Sequence, residues 1–192
     1  MKKRFFYLPA VLMLLFLGTT SLQGQSIKKV IQSTVNQLSG LDLVGTWNYE
    51  ETVVEFQSDN LLKKAGGKVV ASTVESQLNG QLSKLGFQQG VTTFTFSADS
   101  TFTNITNEKK LSGKYSYDSS TKYITLKYLS HVPIKAKVSG SGSNISLLFD
   151  SSGLLSLTSF IGSNSGISGA KGISSILNSY DGMMTGMGLK KQ

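Results

Sequence analysis

Leu43-Val44-Gly45-Thr46-Trp47-Asn48-Tyr49-Glu50 is the stretch on which the fold turns. Gly45-Thr46-Trp47 opens a first strand that runs to Phe56. Successive side chains on a strand point to opposite faces, so Trp47, Tyr49 and Val53 share one side while Val54 and Phe56 fall on the other. That late change of parity predicts a bulge or a sharp bend, the device by which a barrel strand turns a corner.

Downstream, Ser58-Asp59-Asn60 has the composition of a helix start. Leu61, Leu62 and Ala65 predict a short helix broken by Gly66-Gly67. Val70, Val74, Leu78, Leu82 and Leu85 predict a second one, with Gly86 as its left-handed C-cap. Residues 58–86 therefore read as a helix-turn-helix insertion over one mouth of the barrel.

A train of alternating segments follows at about ten-residue spacing, the signature of an all-β meander. The predicted strands are Val91–Ser97, Thr101–Thr106, Leu111–Tyr117, Tyr123–Leu129, Val132–Val138 and Asn144–Phe149. Asn107-Glu108-Lys109-Lys110 reads as a polar loop. Pro133 cannot donate to a ladder and marks a strand start. Two short helices are expected at Ser151–Ile161 and Gly172–Tyr180. Seven strands would leave an open edge. A final strand over Met183–Lys190, paired with the first, closes the barrel at about eight. The fold class is thus mainly β: an antiparallel up-and-down β-barrel with an N-terminal helix, the helical insertion and C-terminal helices.

Upstream, Ile27, Val30, Ile31, Val35 and Leu38 lie on one face of a helix capped by Ser26, within a lead-in of residues 25–44. Before it, Lys2-Lys3-Arg4, the apolar run Phe5–Gly18 and the small and polar residues to Gln25 read as a secretory signal peptide over residues 1–24. The run is about 14 residues, short of the roughly 17 a bilayer span needs. No integral membrane segment is expected after cleavage, and residues 45–192 form the barrel domain. The chain has no cysteine, hence no disulfide and no site for a lipid anchor. A periplasmic or secreted location follows as an expectation.

The 19 basic residues lose three with the leader, leaving +5 against 11 acidic ones. Arg4 is the one arginine. Arginine is the favoured bidentate partner of phosphate and guanine. Its loss with the leader, and the scatter of the lysines, argue against a nucleic-acid partner and for a solvated surface.

No catalytic constellation is visible, so an enzyme is not expected. His131 is a lone histidine at a strand junction, and a metal site needs several converging ligands. No Gly-x-Ser-x-Gly elbow activates a serine. Glu51 and Glu55 share parity with Trp47, which places a carboxylate inside the barrel or, alternatively, at the surface beside a bulge. Met183, Met184 and Met187 read as adaptable core filler or as soft ligands for monovalent copper. Asp99-Ser100-Thr101, at a hairpin tip, resembles an O-glycosylation acceptor triplet of Bacteroides-type envelopes.

Gly45-Thr46-Trp47 resembles the Gly-x-Trp that opens strand A in lipocalins and the Gly-Thr-Trp of fatty-acid-binding proteins. In both, the tryptophan plugs the closed end. Together with Gly-Thr-Trp-x-Tyr, the stretch Ser58-Asp59-Asn60-Leu61-Leu62-Lys63-Lys64-Ala65-Gly66-Gly67 is similar to a lipocalin-like family of secreted proteins from Bacteroides-type bacteria. The likeness extends over nearly all of the mature chain, through Tyr180-Asp181-Gly182. Fatty-acid-binding proteins clamp a carboxylate with arginine, and that clamp cannot be carried over here. The lipocalin arginine that stacks on the tryptophan is also missing; Lys190 or Lys191 is placed to replace it.

An eight-stranded barrel is just wide enough to fill with side chains or to hold one small ligand. The favoured expectation is a small apolar ligand lined by Trp47, Phe94, Phe96, Phe102, Tyr115, Tyr117, Leu126 and Tyr128, with the helical insertion as lid and no cofactor or metal. The alternative is a barrel filled by those side chains, acting as a structural or protein-interaction module of the envelope.

Overall fold

The computed structural model describes residues 41–57, 60, 63, 67–129, 132–166, 170–180 and 182–192. The expected leader, the expected N-terminal helix, His131 and most of the expected first helix of the insertion lie outside them.

The eight strands are β1 (Gly45–Phe56), β2 (Thr93–Phe96), β3 (Thr101–Thr106), β4 (Lys109–Asp118), β5 (Tyr123–Tyr128), β6 (Ile134–Ser141), β7 (Asn144–Phe149) and β8 (Met183–Lys191). Each pairs antiparallel with the next, and β8 pairs with β1, so the sheet is a closed barrel. Closure removes the edge that seven strands would expose. It is completed beyond the ladder by Gln192 N–H donating to the Thr46 carbonyl at 2.9 Å.

The expected bulge is present, earlier than the parity suggested. Tyr49 opposes Leu189 and Glu51 opposes Gly188, so Glu50 is the extra residue. One inserted residue reverses parity. Trp47 and Tyr49 point inward before it, and Thr52, Val54 and Phe56 share the inward face of Met187, Thr185 and Met183 after it. Val53 therefore does not share the face of Trp47. The bulge keeps the apolar residues of both halves of β1 in the core.

Other elements shift their bounds from the sequence reading, and β2 is the shorter Thr93–Phe96. β4 starts at Lys109 because Asn107 and Glu108 alone make the turn, both at positive φ (49° and 60°). Two such residues form the tight hairpin loop whose twist matches the flanking strands. Ile105 faces outward and is 38% exposed, while Asn104 and Thr106 take the inward positions. β6 starts at Ile134 and runs through Ser141, past the expected end at Val138 and into the Gly/Ser-rich stretch before β7. At the β2–β3 tip, the Thr101 hydroxyl donates to Asp99 Oδ1 at 2.6 Å and Ser100 has a positive φ of 65°.

Three helices are described in full: α1 (Lys68–Lys84), α2 (Ser151–Ser165) and α3 (Ala170–Leu177). α1 buries Val74, Leu78 and Leu82 against the core, each worth roughly 1.5–3 kcal/mol of apolar burial. It stops in a Schellman turn, with Phe87 N–H on the Leu82 carbonyl and Gly86 N–H on Ser83. Gly86 has φ +92°, and a Cβ there would lie 2.5 Å from Asn107 Cβ, so glycine serves both the turn and the packing. α2 starts on Asp150, whose carboxylate accepts from Gly153 N–H at 2.7 Å.

The helices gather at one end of the barrel. α2 follows directly on the last residue of β7, packs on β6, β7 and β8, and brings Phe160 within 4.8 Å of Tyr128 at the end of β5. α1 lies on β1, and α3 lies on α1 and α2. The opposite end, where β1 begins, holds Trp47. These are called the helix end and the tryptophan end below.

Candidate functional site

All eight residues expected to line the barrel point inward. Trp47, Phe94, Phe96, Phe102, Leu126 and Tyr128 are at most 1% exposed, Tyr115 4% and Tyr117 8%. Five of them touch ring to ring. Phe96 meets Phe94 at 6.4 Å, Phe102 at 6.0 Å and Tyr115 edge-on at 5.0 Å. Phe102 then meets Tyr128 edge-on at 4.8 Å. These two rings sit on β3 and β5, with Gly113 of β4 paired between them. A Cβ on Gly113 would lie 2.7 Å from Phe102 Cε1 and 2.3 Å from the Lys127 carbonyl oxygen. The absent side chain is what lets the rings meet.

At the tryptophan end, the Trp47 indole N–H donates to the Leu43 carbonyl at 2.8 Å. The Lys191 ammonium lies 5.4 Å from the centre of the Trp47 ring and 3.0 Å from the Asp42 carboxylate. Lysine thus occupies the cationic position over the tryptophan, as the sequence suggested. The Tyr115 hydroxyl donates to the Ser97 carbonyl at 2.9 Å. Burial, with the carboxylates of Asp42 and Asp99 adding to it, pushes the Tyr115 phenol up to about 12.

The middle and helix end hold the polar residues. Asn104 Nδ2 donates to the Thr93 carbonyl and to Thr106 Oγ1, at 3.1 and 3.0 Å. The hydroxyls of Tyr49 and Thr52 lie 2.8 Å apart and each is 3.1 Å from Asn79 Oδ1 on α1. Their two protons serve two of those three contacts. Thr92 donates to the Gly86 carbonyl, and Thr158 of α2 donates to Leu154. Two hydroxyls stand apart: those of Tyr128 and Thr185 are buried and have no hydrogen-bond partner among the described residues. Native proteins leave few such groups. Burial holds the Tyr128 phenol well above the usual tyrosine range, so it stays a donor.

No charged side chain is buried among the described residues. The bulge carries Glu51 and Glu55 to the outside: Glu51 is exposed, and Glu55 pairs with Lys137 at 3.0 Å. Glu50 accepts from Gln89 at 2.7 Å. The three methionines do not converge, since Met183 and Met187 face inward and Met184 faces outward opposite Glu55. Among the described residues, no three of His, Cys, Asp and Glu are grouped to hold a metal ion. No helix among them is long and apolar enough to cross a membrane.

With that barrel in view, residues 19–191 match the family described as a lipocalin-like domain, DUF4923. The chain belongs to this family. The lipocalin-like reading of Gly45-Thr46-Trp47 thereby stands for the whole barrel. No curated protein matches the chain. A crystal structure of a DUF4847 family protein from Bacteroides vulgatus ATCC 8482 is similar at 12% identity, covering 82% of this chain and 99% of that one, with a TM-score of 0.39.

The inward polar set of this lipocalin-like domain was not singled out from the sequence. Its signal is parity: Asn104 and Thr106 share the parity of Phe102, and Thr185 that of Met183 and Met187. For Thr52, the bulge hides that signal.

Proposed function

We propose that this protein binds one small, largely apolar molecule within the helix-covered half of the barrel. The observation that supports this is the pair of inward, partnerless hydroxyls on Tyr128 and Thr185. A buried hydroxyl left unpaired costs about 1–3 kcal/mol. A bound molecule with a matching polar atom removes that cost. Apolar walls with a few placed polar groups are the usual make-up of small-molecule sites. On this reading α2, whose Phe160 closes over Tyr128, is the lid, a part the sequence reading gave to the insertion. The protein acts as a carrier and not as an enzyme.

We also propose that it works outside the cytoplasm, in the periplasm or beyond, on the strength of the Lys2–Gly24 leader pattern. Intact mass of protein recovered from the cell envelope tests this: loss of about two dozen N-terminal residues is the expected result.

Native mass spectrometry of protein purified from its own cells tests the carrier reading. A bound apolar mass, released on denaturation, is expected. A clean apo mass, with no uptake from a lipid and metabolite extract, overturns it. The result would then favour the second reading, a filled barrel used as an interaction module. The ring contacts running from Phe94 to Phe160 support that second reading.

A further inference from the structure

We infer that the ligand is a neutral amphiphile, an apolar body carrying a hydroxyl or carbonyl group, and that free carboxylic acids and amines are excluded. This rests on the carrier reading above and narrows it.

Consider first the spare hydrogen-bonding capacity. Thr52, Thr92, Asn104, Thr106 and Thr158 are buried, and each has a partner. That leaves the Tyr128 and Thr185 hydroxyls. A phenol and an aliphatic hydroxyl each donate one proton and accept in return. They suit an uncharged oxygen, which can receive one proton and, if a hydroxyl, return another.

Their placement confines that oxygen to one end. Tyr128 ends β5, and Thr185 is the third residue of β8. Thr185 is registered opposite Phe149, the last residue of β7. Both hydroxyls therefore belong to the helix end, with the Tyr128 ring held between Phe102 and Phe160, each at 4.8 Å. Fixed rings hold a hydroxyl in place without loss of side-chain freedom on binding.

Consider next the charges. A carboxylate transferred into a barrel needs a buried cation or several donors, or the cost of desolvation amounts to several kcal/mol. Among the described residues no lysine is buried, and the chain's one arginine lies in the leader. Lys191, the lysine that reaches the Trp47 ring, is at the opposite end and is engaged by Asp42. An ammonium meets the same obstacle, because no carboxylate is buried among the described residues: Glu51 and Glu55 both point outward. Among the described residues the barrel offers two neutral hydroxyls and no buried counter-charge to either kind of ion.

The test uses the folded protein loaded with Nile red, a neutral apolar reporter, and a matched set of competitors: decanol, decanone, decanoate at pH 8, decylamine and decane. Decanol and decanone are expected to displace the reporter at least 10-fold more tightly than decanoate or decylamine. In Tyr128→Phe and Thr185→Val, decanol is expected to weaken about 3- to 10-fold per hydroxyl relative to decane, as the loss of one net hydrogen bond requires. Both substitutions keep the shape of the side chain, and an unchanged or raised melting temperature shows that the variants fold. Equal or tighter binding of decanoate overturns the inference and leaves the carrier reading standing. So does a decanol-to-decane ratio that the double variant does not move. Failure of the reporter and of every competitor to bind overturns both.

Discussion

At the tryptophan end, the Trp47 indole N–H reaches Leu43 and the Tyr115 hydroxyl reaches Ser97, while at the helix end Tyr128 and Thr185 keep hydroxyls that reach nothing. The first is built like an ordinary core, with rings in contact and donors paired. The second is equally buried but chemically incomplete. Within one continuous barrel, one end has its donors paired and the other keeps two hydroxyls that are not, and it is there that the proposed guest belongs.

The contrast can be broken by substitution. The largest effect is expected from Trp47→Ala, which removes a fully buried indole and its hydrogen bond at the closed end. The loss should be about 3–5 kcal/mol by urea denaturation. A loss comparable to that of a surface substitution would mean the tryptophan end is not the packed half. Gly113→Ala comes next. Its Cβ must displace the Lys127 carbonyl or the Phe102 ring, for a cost of about 1–3 kcal/mol. Thermal unfolding reads this, and a neutral result would show that the Phe102–Tyr128 contact is soft.

Alkaline pH sharpens the contrast by a different route. In an unfolded chain a tyrosine ionises near 10, whereas folded Tyr115 is held up to about 12. Between those values the unfolded chain has already released its proton and the folded one has not. The stabilisation from Tyr115 is thus full below pH 10 and is lost progressively as pH rises towards 12. Urea midpoints measured from pH 8 upward should fall in that window, and Tyr115→Phe should flatten the fall. Smallest is Lys191→Met. Its pair with Asp42 is partly exposed, so the change should stay under about 1 kcal/mol. Its clearest readout is Trp47 fluorescence, which the loss of the ammonium over the ring should alter.

Much of this architecture is written in local pattern. Alternation marks the strands from β1 to β7, and the need to avoid an open edge points to β8. The lipocalin resemblance offered Lys190 or Lys191 as the cation over Trp47, and Lys191 holds that place. What local pattern misses is a count. The single residue added at Glu50 reverses every face beyond it, so Glu51 and Glu55 share the parity of Trp47 yet lie outside, the surface alternative beside a bulge, while Thr52 joins the interior. On β3 the apolar Ile105 faces out while Asn104 and Thr106 hold the inward parity, so residue type alone does not mark the lining. The candidate site was legible only in its apolar part, since a threonine gives no sign in sequence of whether its hydroxyl will find a partner.

One bond between a helix and a strand bears on how the molecule behaves in a crowd. β2 covers only Gly45–Asn48 of β1, and further along Val54 N–H turns away from β8 to the Glu75 carboxylate of α1 at 3.1 Å. The barrel, though closed, keeps one short length of strand whose free side is guarded by a helix instead of a neighbour. Lifting α1 by proteolysis or by Glu75→Lys bares that length to strand addition from another copy. Self-association is then a matter of how firmly one helix holds its place.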